Sequence, residues 1–253
     1  MTQTAADLTP AVHVEHCMGT VFTIDLRDPG LWDDAISAVV AWLHRVDAVF
    51  SIYRDDSDIS RIRRGELRVE DADPHVAEVL DLCTVLQAET GGYFTAFWDG
   101  HLDPTGLVKG WAIEHASEFL HASGCHNHAV NGGGDMQLAG EVAPGEPWRV
   151  GISDPQDAPR LLTIVQGRDF AIATSGVAER GTHIINPLTA TPARDLASVT
   201  VIGRALTRVD TYATAAFAMG GNALQWLEAQ PGHEGLVVAA DGIATPTSQF
   251  YAP

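Results

Sequence analysis

With 253 residues, 45% hydrophobic and 19% charged, the chain is long enough for one large or two small globular domains and too apolar to be disordered. Lys and Arg number 15 against 33 Asp and Glu, and the resulting charge of −18 repels nucleic acid and anionic membranes. No apolar run approaches the roughly 18 residues of a membrane span, so neither nucleic acid binding nor membrane insertion is expected.

In chain order, residues 12–26 read as a long strand or hairpin carrying Val12, Val14, Val21, Phe22, Ile24 and Leu26. Residues 1–11 are expected to be a flexible N-terminus. After Pro29-Gly30, Trp32, Ile36, Val39, Leu43, Val46 and Phe50 recur at the three- and four-residue steps of an amphipathic helix. A short helix is predicted over 57–62. Another begins at Asp73-Pro74, where an N-cap and a first-turn proline coincide; it buries Val76, Val79, Leu80, Cys83 and Leu86 and stops at Gly91-Gly92. Residues 91–105 form an aromatic-rich loop or broken strand, and a helix follows from Thr105 or Gly106 to near His121.

The second half changes character. Strand-like runs occur at 128–131, 135–139, 148–153, 161–167, 170–175, 182–186 and 198–203, separated by Gly, Pro, Asp and Asn. One helical stretch, 208–229, is interrupted at Gly220-Gly221, and a hairpin turning at Asp241-Gly242 closes the chain. This order predicts an α+β fold with largely antiparallel sheets packed with helices. With no linker-like stretch in it, residues 1–253 read as a single domain with two sub-lobes.

Four segments carry possible chemistry. In Asp103-Pro104-Thr105-Gly106-Leu107-Val108-Lys109-Gly110-Trp111, a helix N-terminus offers free N–H groups to an anion, and Lys109 lies one turn in. Lys109 is the only lysine beside 14 arginines. Asn131-Gly132-Gly133-Gly134-Asp135 allows close backbone approach to a ligand. Residues 173–187 place hydroxyls, Glu179-Arg180 and His183, a possible general base, between apolar strands. Asp210 and Thr214, spaced i and i+4, share a helix face and are hard oxygen donors suited to Mg²⁺ or Ca²⁺. Taken singly, these segments also fit a capped helix with a solvated lysine, a plain hairpin, a structural histidine and a helix N-cap. Cys17, Cys83 and Cys125 are odd in number and widely spaced, which argues against a disulfide framework. The N-terminal residues have no basic start and no apolar core of a leader, and a cytoplasmic protein is expected.

Together the segments resemble the FAD:protein FMN transferase, or ApbE-type, family. The pieces are Met18-Gly19-Thr20; Phe50-Ser51-Ile52-Tyr53 with Ser57-Asp58-Ile59-Ser60; Gly91-Gly92-Tyr93-Phe94; Asp103 to Trp111; Asn131 to Asp135; Thr174-Ser175-Gly176 with Glu179-Arg180; His183-Ile184-Ile185-Asn186-Pro187; and Asp210 with Thr214. The resemblance implies a T-fold-like domain that takes FAD as substrate and Mg²⁺ as cofactor. The reaction it implies moves FMN to a threonine or serine hydroxyl in the flavinylation motif of an acceptor flavoprotein and releases AMP. An FAD pyrophosphatase giving FMN and AMP, or a silent FAD-binding protein, are the alternatives. It further implies that Met18, Tyr53, Tyr93, Phe94, Thr95, Asp103, Lys109, Ile184 and Ile185 contact the dinucleotide. The Gly106 carbonyl, Asp210 and Thr214 would hold the metal, and His183 with Lys109 would be catalytic. The sequence departs from the family pattern at Thr95, Ala178 and Asn186.

Overall fold

The computed structural model describes residues 10–98, 100–177 and 184–250. Strands β1 (Ala11–Cys17) and β2 (Thr20–Leu26) pair antiparallel around the two-residue turn Met18-Gly19. Their φ angles are +52° and +70°. A two-residue hairpin between right-twisted strands favours left-handed backbone at both turn positions. Glycine adopts it freely; Met18 does so at a cost of about 1–3 kcal/mol.

Three helices follow: α1 (Asp33–Phe50), α2 (Asp58–Arg63) and α3 (Pro74–Glu89). The starts of α2 and α3 are local, with the Ser57 hydroxyl accepting the Ser60 N–H at 3.1 Å and the Asp73 carboxylate accepting that of His75 at 3.0 Å. The aromatic segment resolves into the short ribbon β3 (Phe97–Trp98) and β4 (His101–Leu102). Helix α4 (Thr105–Ala122) is buried along most of its circumference, with Trp111 against Trp42 and Phe50 of α1.

Strands β5 (His128–Gly132), β6 (Asp135–Ala139), β7 (Trp148–Asp154), β8 (Asp157–Gly167), β9 (Phe170–Gly176), β10 (Ile185–Asn186), β11 (Thr191–Pro192) and β12 (Leu196–Gly203) come next. Helix α5 (Leu206–Met219), a 3₁₀ turn at Gly220–Asn222, α6 (Ala223–Glu228), β13 (Glu234–Ala239) and β14 (Ala244–Pro246) complete the described chain. Several boundaries differ from expectation. β8 starts at Asp157, before its apolar run, because Asp157 pairs with Asp154 of β7; residues 158–160, Pro159 among them, fall in a register shift without a partner there. Of 182–186 only Ile184, Ile185 and Asn186 are described. The expected helix break falls at Gly220, at φ +60° and directly against Asp195, where a side chain would collide.

Eight strands form one sheet in the order β1-β2-β5-β6-β9-β12-β13-β14, every neighbour antiparallel. The α+β, antiparallel expectation is thus met. Alternation sorts the side chains onto two faces. Val130, Ala171, Ala173, Val199 and Val201 join the main core with the helices, whereas Ala129, Leu138, Phe170 and Ile172 form a second cluster with Trp148 and Ile152 of the β7–β8 hairpin.

His128 is fully buried on β5, its Nε2 2.7 Å from the Ser117 hydroxyl and its Nδ1 2.9 Å from the Cys125 carbonyl. Desolvation pushes its pKa down to about 4. The unfolded chain therefore binds the extra proton between about pH 6.5 and 4 while the folded one does not, so stability falls as pH drops through that window, by up to ~3 kcal/mol. Urea unfolding at pH 7 and pH 5 should show the loss, and His128→Gln should flatten the slope; parallel slopes would contradict this.

Candidate functional site at the α4–α5 crossing

The site is assembled by two helix starts and one strand. Helix α5 begins with no local cap. Instead the Gln137 side-chain oxygen accepts the Leu206 N–H at 3.0 Å, and one Glu114 oxygen accepts the Thr207 N–H at 2.8 Å and its hydroxyl at 2.6 Å. Gln137 and Asp135 share the helix-facing side of β6, opposite Met136 and Leu138, which join the second cluster. The residue spacing that caps α5 therefore also aims Asp135 at α4.

There Lys109 pairs with Asp135 and, at 3.0 Å, with Asp210 of α5. Both carboxylates are almost fully buried, at 5% and 6% exposure, so their charge is offset by the ammonium and not by water. The other Asp135 oxygen accepts the Thr174 N–H at 2.9 Å. The close crossing of α4 and α5 depends on Gly110, where a β-carbon would sit 2.9 Å from both Asp210 Cβ and the Leu206 carbonyl oxygen. Thr214, one turn beyond Asp210, shares a hydrogen bond of 3.1 Å with Ser175 on β9.

Lys109 and Gly110, at the end of the 103–110 segment, thus meet Asp210, a hundred positions away in sequence. Lys109 is neither solvated nor free; it is ion-paired on both sides. Asp210 is not a helix N-cap, since distant side chains serve that purpose. Asp103 does cap locally, accepting the Thr105 N–H at 3.0 Å and the Thr105 hydroxyl at 2.6 Å, so the N-terminus of α4 already faces a carboxylate. Gly106 lies one turn before Gly110, and a β-carbon there would sit 3.4 Å from the buried Phe94 ring.

Tyr93 is partly buried against the main core, and the Thr95 hydroxyl donates to Gln87 and accepts the Phe97 N–H. Met18 packs partly against the core, and its turn adjoins the glycine turn through the Gly133 N–H, which donates to the Val21 carbonyl at 3.2 Å. Tyr53 stands apart at 92% exposure. Ile184 is buried and Ile185 half-buried. Asn186 donates its amide to the Ala218 carbonyl at 3.0 Å and accepts the Leu188 N–H at 2.9 Å. An aspartate could not make the first bond, which gives the departure at this position a structural reason. Glu179, Arg180 and His183, and with them Ala178, lie outside the described residues.

The fold around this crossing is that of known flavin transferases. The flavin transferase ApbE from Vibrio cholerae superposes with a TM-score of 0.83 at 23% identity, covering 96% of this chain and 98% of that one. The ApbE protein of Thermotoga maritima gives 0.85 at 21% identity, covering 96% and 98%. The ApbE family model matches residues 18–100 and 98–237. The chain belongs to the ApbE family.

Among curated ApbE-type relatives, an FAD:protein FMN transferase of Vibrio cholerae serotype O1 is 33% identical over 130 residues, 47% of this chain and 39% of its own length. One from Rhodobacter capsulatus is 28% identical over 232 residues, 87% of this chain and 42% of its own. The matches therefore span about two fifths of the length of these relatives.

The donor chemistry at the crossing fits a hard cation. No group of three or more His, Cys, Asp or Glu suited to a metal occurs among the described residues. The crossing holds the buried Asp210 carboxylate, with the Thr214 hydroxyl one turn on, and these are oxygen donors of the kind that suits Mg²⁺ and not Zn²⁺. Residue Asp135 was not singled out by sequence reasoning; the Gly-rich run ending in Asp was its signal, but only the pairing with Lys109 gives it a task.

Proposed function

We propose that this protein is an FAD:protein FMN transferase that moves FMN from FAD onto a threonine or serine hydroxyl of an acceptor flavoprotein and releases AMP. The observation that carries this reading is the meeting of Lys109, Asp135 and Asp210 at the α4–α5 crossing of an ApbE-family chain.

In the reaction the acceptor oxygen forms a bond to the FMN phosphorus, the bridging P–O bond breaks, and AMP departs with the bridging oxygen. His183 is the proposed acceptor of the hydroxyl proton. Lys109 contacts the pyrophosphate, supplying part of the positive charge that a chain of −18 otherwise lacks. Bound by Asp210, Thr214 and the Gly106 carbonyl, Mg²⁺ would add charge neutralisation at the phosphates. Met18, Tyr53, Asp103, Ile184, Ile185 and the 93–95 segment are proposed to line the dinucleotide. No described helix is long and apolar enough to cross a membrane.

Incubation with FAD, Mg²⁺ and a protein carrying a threonine or serine flavinylation motif should yield a covalently fluorescent acceptor and equimolar AMP. AMP release independent of any acceptor would replace transfer by pyrophosphate hydrolysis. Tight FAD binding with no AMP under either condition would refute an enzyme.

A further inference from the structure

Lys109 stands between two carboxylates that are both held in place. Asp135 is fixed at the start of β6, one oxygen held by the Thr174 N–H at 2.9 Å and the other paired with the ammonium. Asp210 is fixed on α5, whose start is clamped by Gln137 and Glu114. The movable member is the lysine, whose four-carbon stem carries a compact charge and whose side chain keeps 23% exposure. Its ammonium lies 3.0 Å from an Asp210 oxygen, the residue assigned above as metal ligand.

We infer that Lys109 and Asp135 set the divalent-cation affinity of Asp210 in opposite directions. The Lys109 ammonium competes with a divalent cation for Asp210, and Asp135 is a positioning residue that shares the ammonium and so moderates that competition. The inference rests on the metal assignment of Asp210 and goes beyond it in naming what tunes the site.

Charge accounts for both signs. Removing the ammonium leaves two buried carboxylates facing each other, which raises the attraction for a divalent ion. Neutralising Asp135 removes one negative charge and leaves the ammonium to Asp210 alone, which lowers it. The same geometry gives the lysine a second destination. A phosphate in the crossing would draw the ammonium off Asp210 while Asp135 retains it nearby, so dinucleotide and divalent cation should bind synergistically.

The test is Mn²⁺ titration of the full chain without FAD, followed by electron paramagnetic resonance. Lys109→Met should bind Mn²⁺ about tenfold more tightly than the unmodified protein, and Asp135→Asn about tenfold more weakly. The asparagine keeps the oxygen that accepts the Thr174 N–H, so its backbone tie is preserved. A misfolded variant would lose affinity, and tightening in Lys109→Met cannot arise that way. Adding FAD should tighten Mn²⁺ binding in the unmodified protein and do so less in Lys109→Met. Equal or weaker binding in Lys109→Met, or unchanged or tighter binding in Asp135→Asn, would overturn the inference. Failure of the metal assignment itself would show elsewhere: no Mn²⁺ binding by the unmodified protein, or binding undiminished in Asp210→Asn, would remove both.

Discussion

Asp210→Ala is expected to reduce Mg²⁺-dependent AMP release from FAD by about a hundredfold or more, equivalent to roughly 3 kcal/mol or more of lost transition-state stabilisation. The buried carboxylate is the one charged oxygen donor in the proposed metal set, beside a hydroxyl and a carbonyl, so its loss removes the charge that attracts a divalent ion. The fold should survive. Lys109 keeps Asp135 as partner, so the substitution leaves no buried cation unpaired, and the caps of α5 come from Gln137 and Glu114 and not from Asp210. Chromatographic measurement of AMP beside a thermal melt separates the two effects. Turnover equal to that of the unmodified protein would take Asp210 out of the metal site.

Gly110→Ala is expected to damage stability and activity together. The added β-carbon would meet Asp210 Cβ and the Leu206 carbonyl oxygen at 2.9 Å, and a carbonyl of a neighbouring helix cannot swing aside. Helices α4 and α5 must separate locally, at a cost of about 1–3 kcal/mol. The separation also shifts Asp210 relative to Lys109. Gly106→Ala on the same helix is the contrast: its β-carbon would meet only the edge of the Phe94 ring at 3.4 Å, and alanine favours helix over glycine by about 1 kcal/mol. Denaturant midpoints should fall for Gly110→Ala and hold or rise for Gly106→Ala. Equal midpoints would show that the crossing tolerates more room than this geometry allows.

The starts of α2 and α3 were readable from Ser57 and Asp73-Pro74 because an N-cap acts within its own turn. The sequence pattern starts α5 at 208, two residues late. Its amides are satisfied by Gln137 and Glu114, about seventy and ninety positions away, and no neighbouring residue announces that. The pattern reads β8 short for a similar reason: its first residues are polar and include a proline, and the strand begins there only because Asp157 pairs with Asp154 of β7. Among the site residues, the role of Asp135 stayed hidden because a carboxylate after three glycines equally suits an ordinary turn.

Periodicity, caps and turn chemistry settled which stretches are helix and which are strand, since these signals reach only a few residues along the chain. The collinear run of short motifs carries the ApbE-family likeness without reference to the fold. The pairing of Lys109 with both Asp135 and Asp210, the non-local caps on α5 and the glycine contact that lets two helices approach were decided by the tertiary structure alone. Each joins residues between 26 and 101 positions apart, and at such separations only packing of the sheet against its helices determines which charges meet.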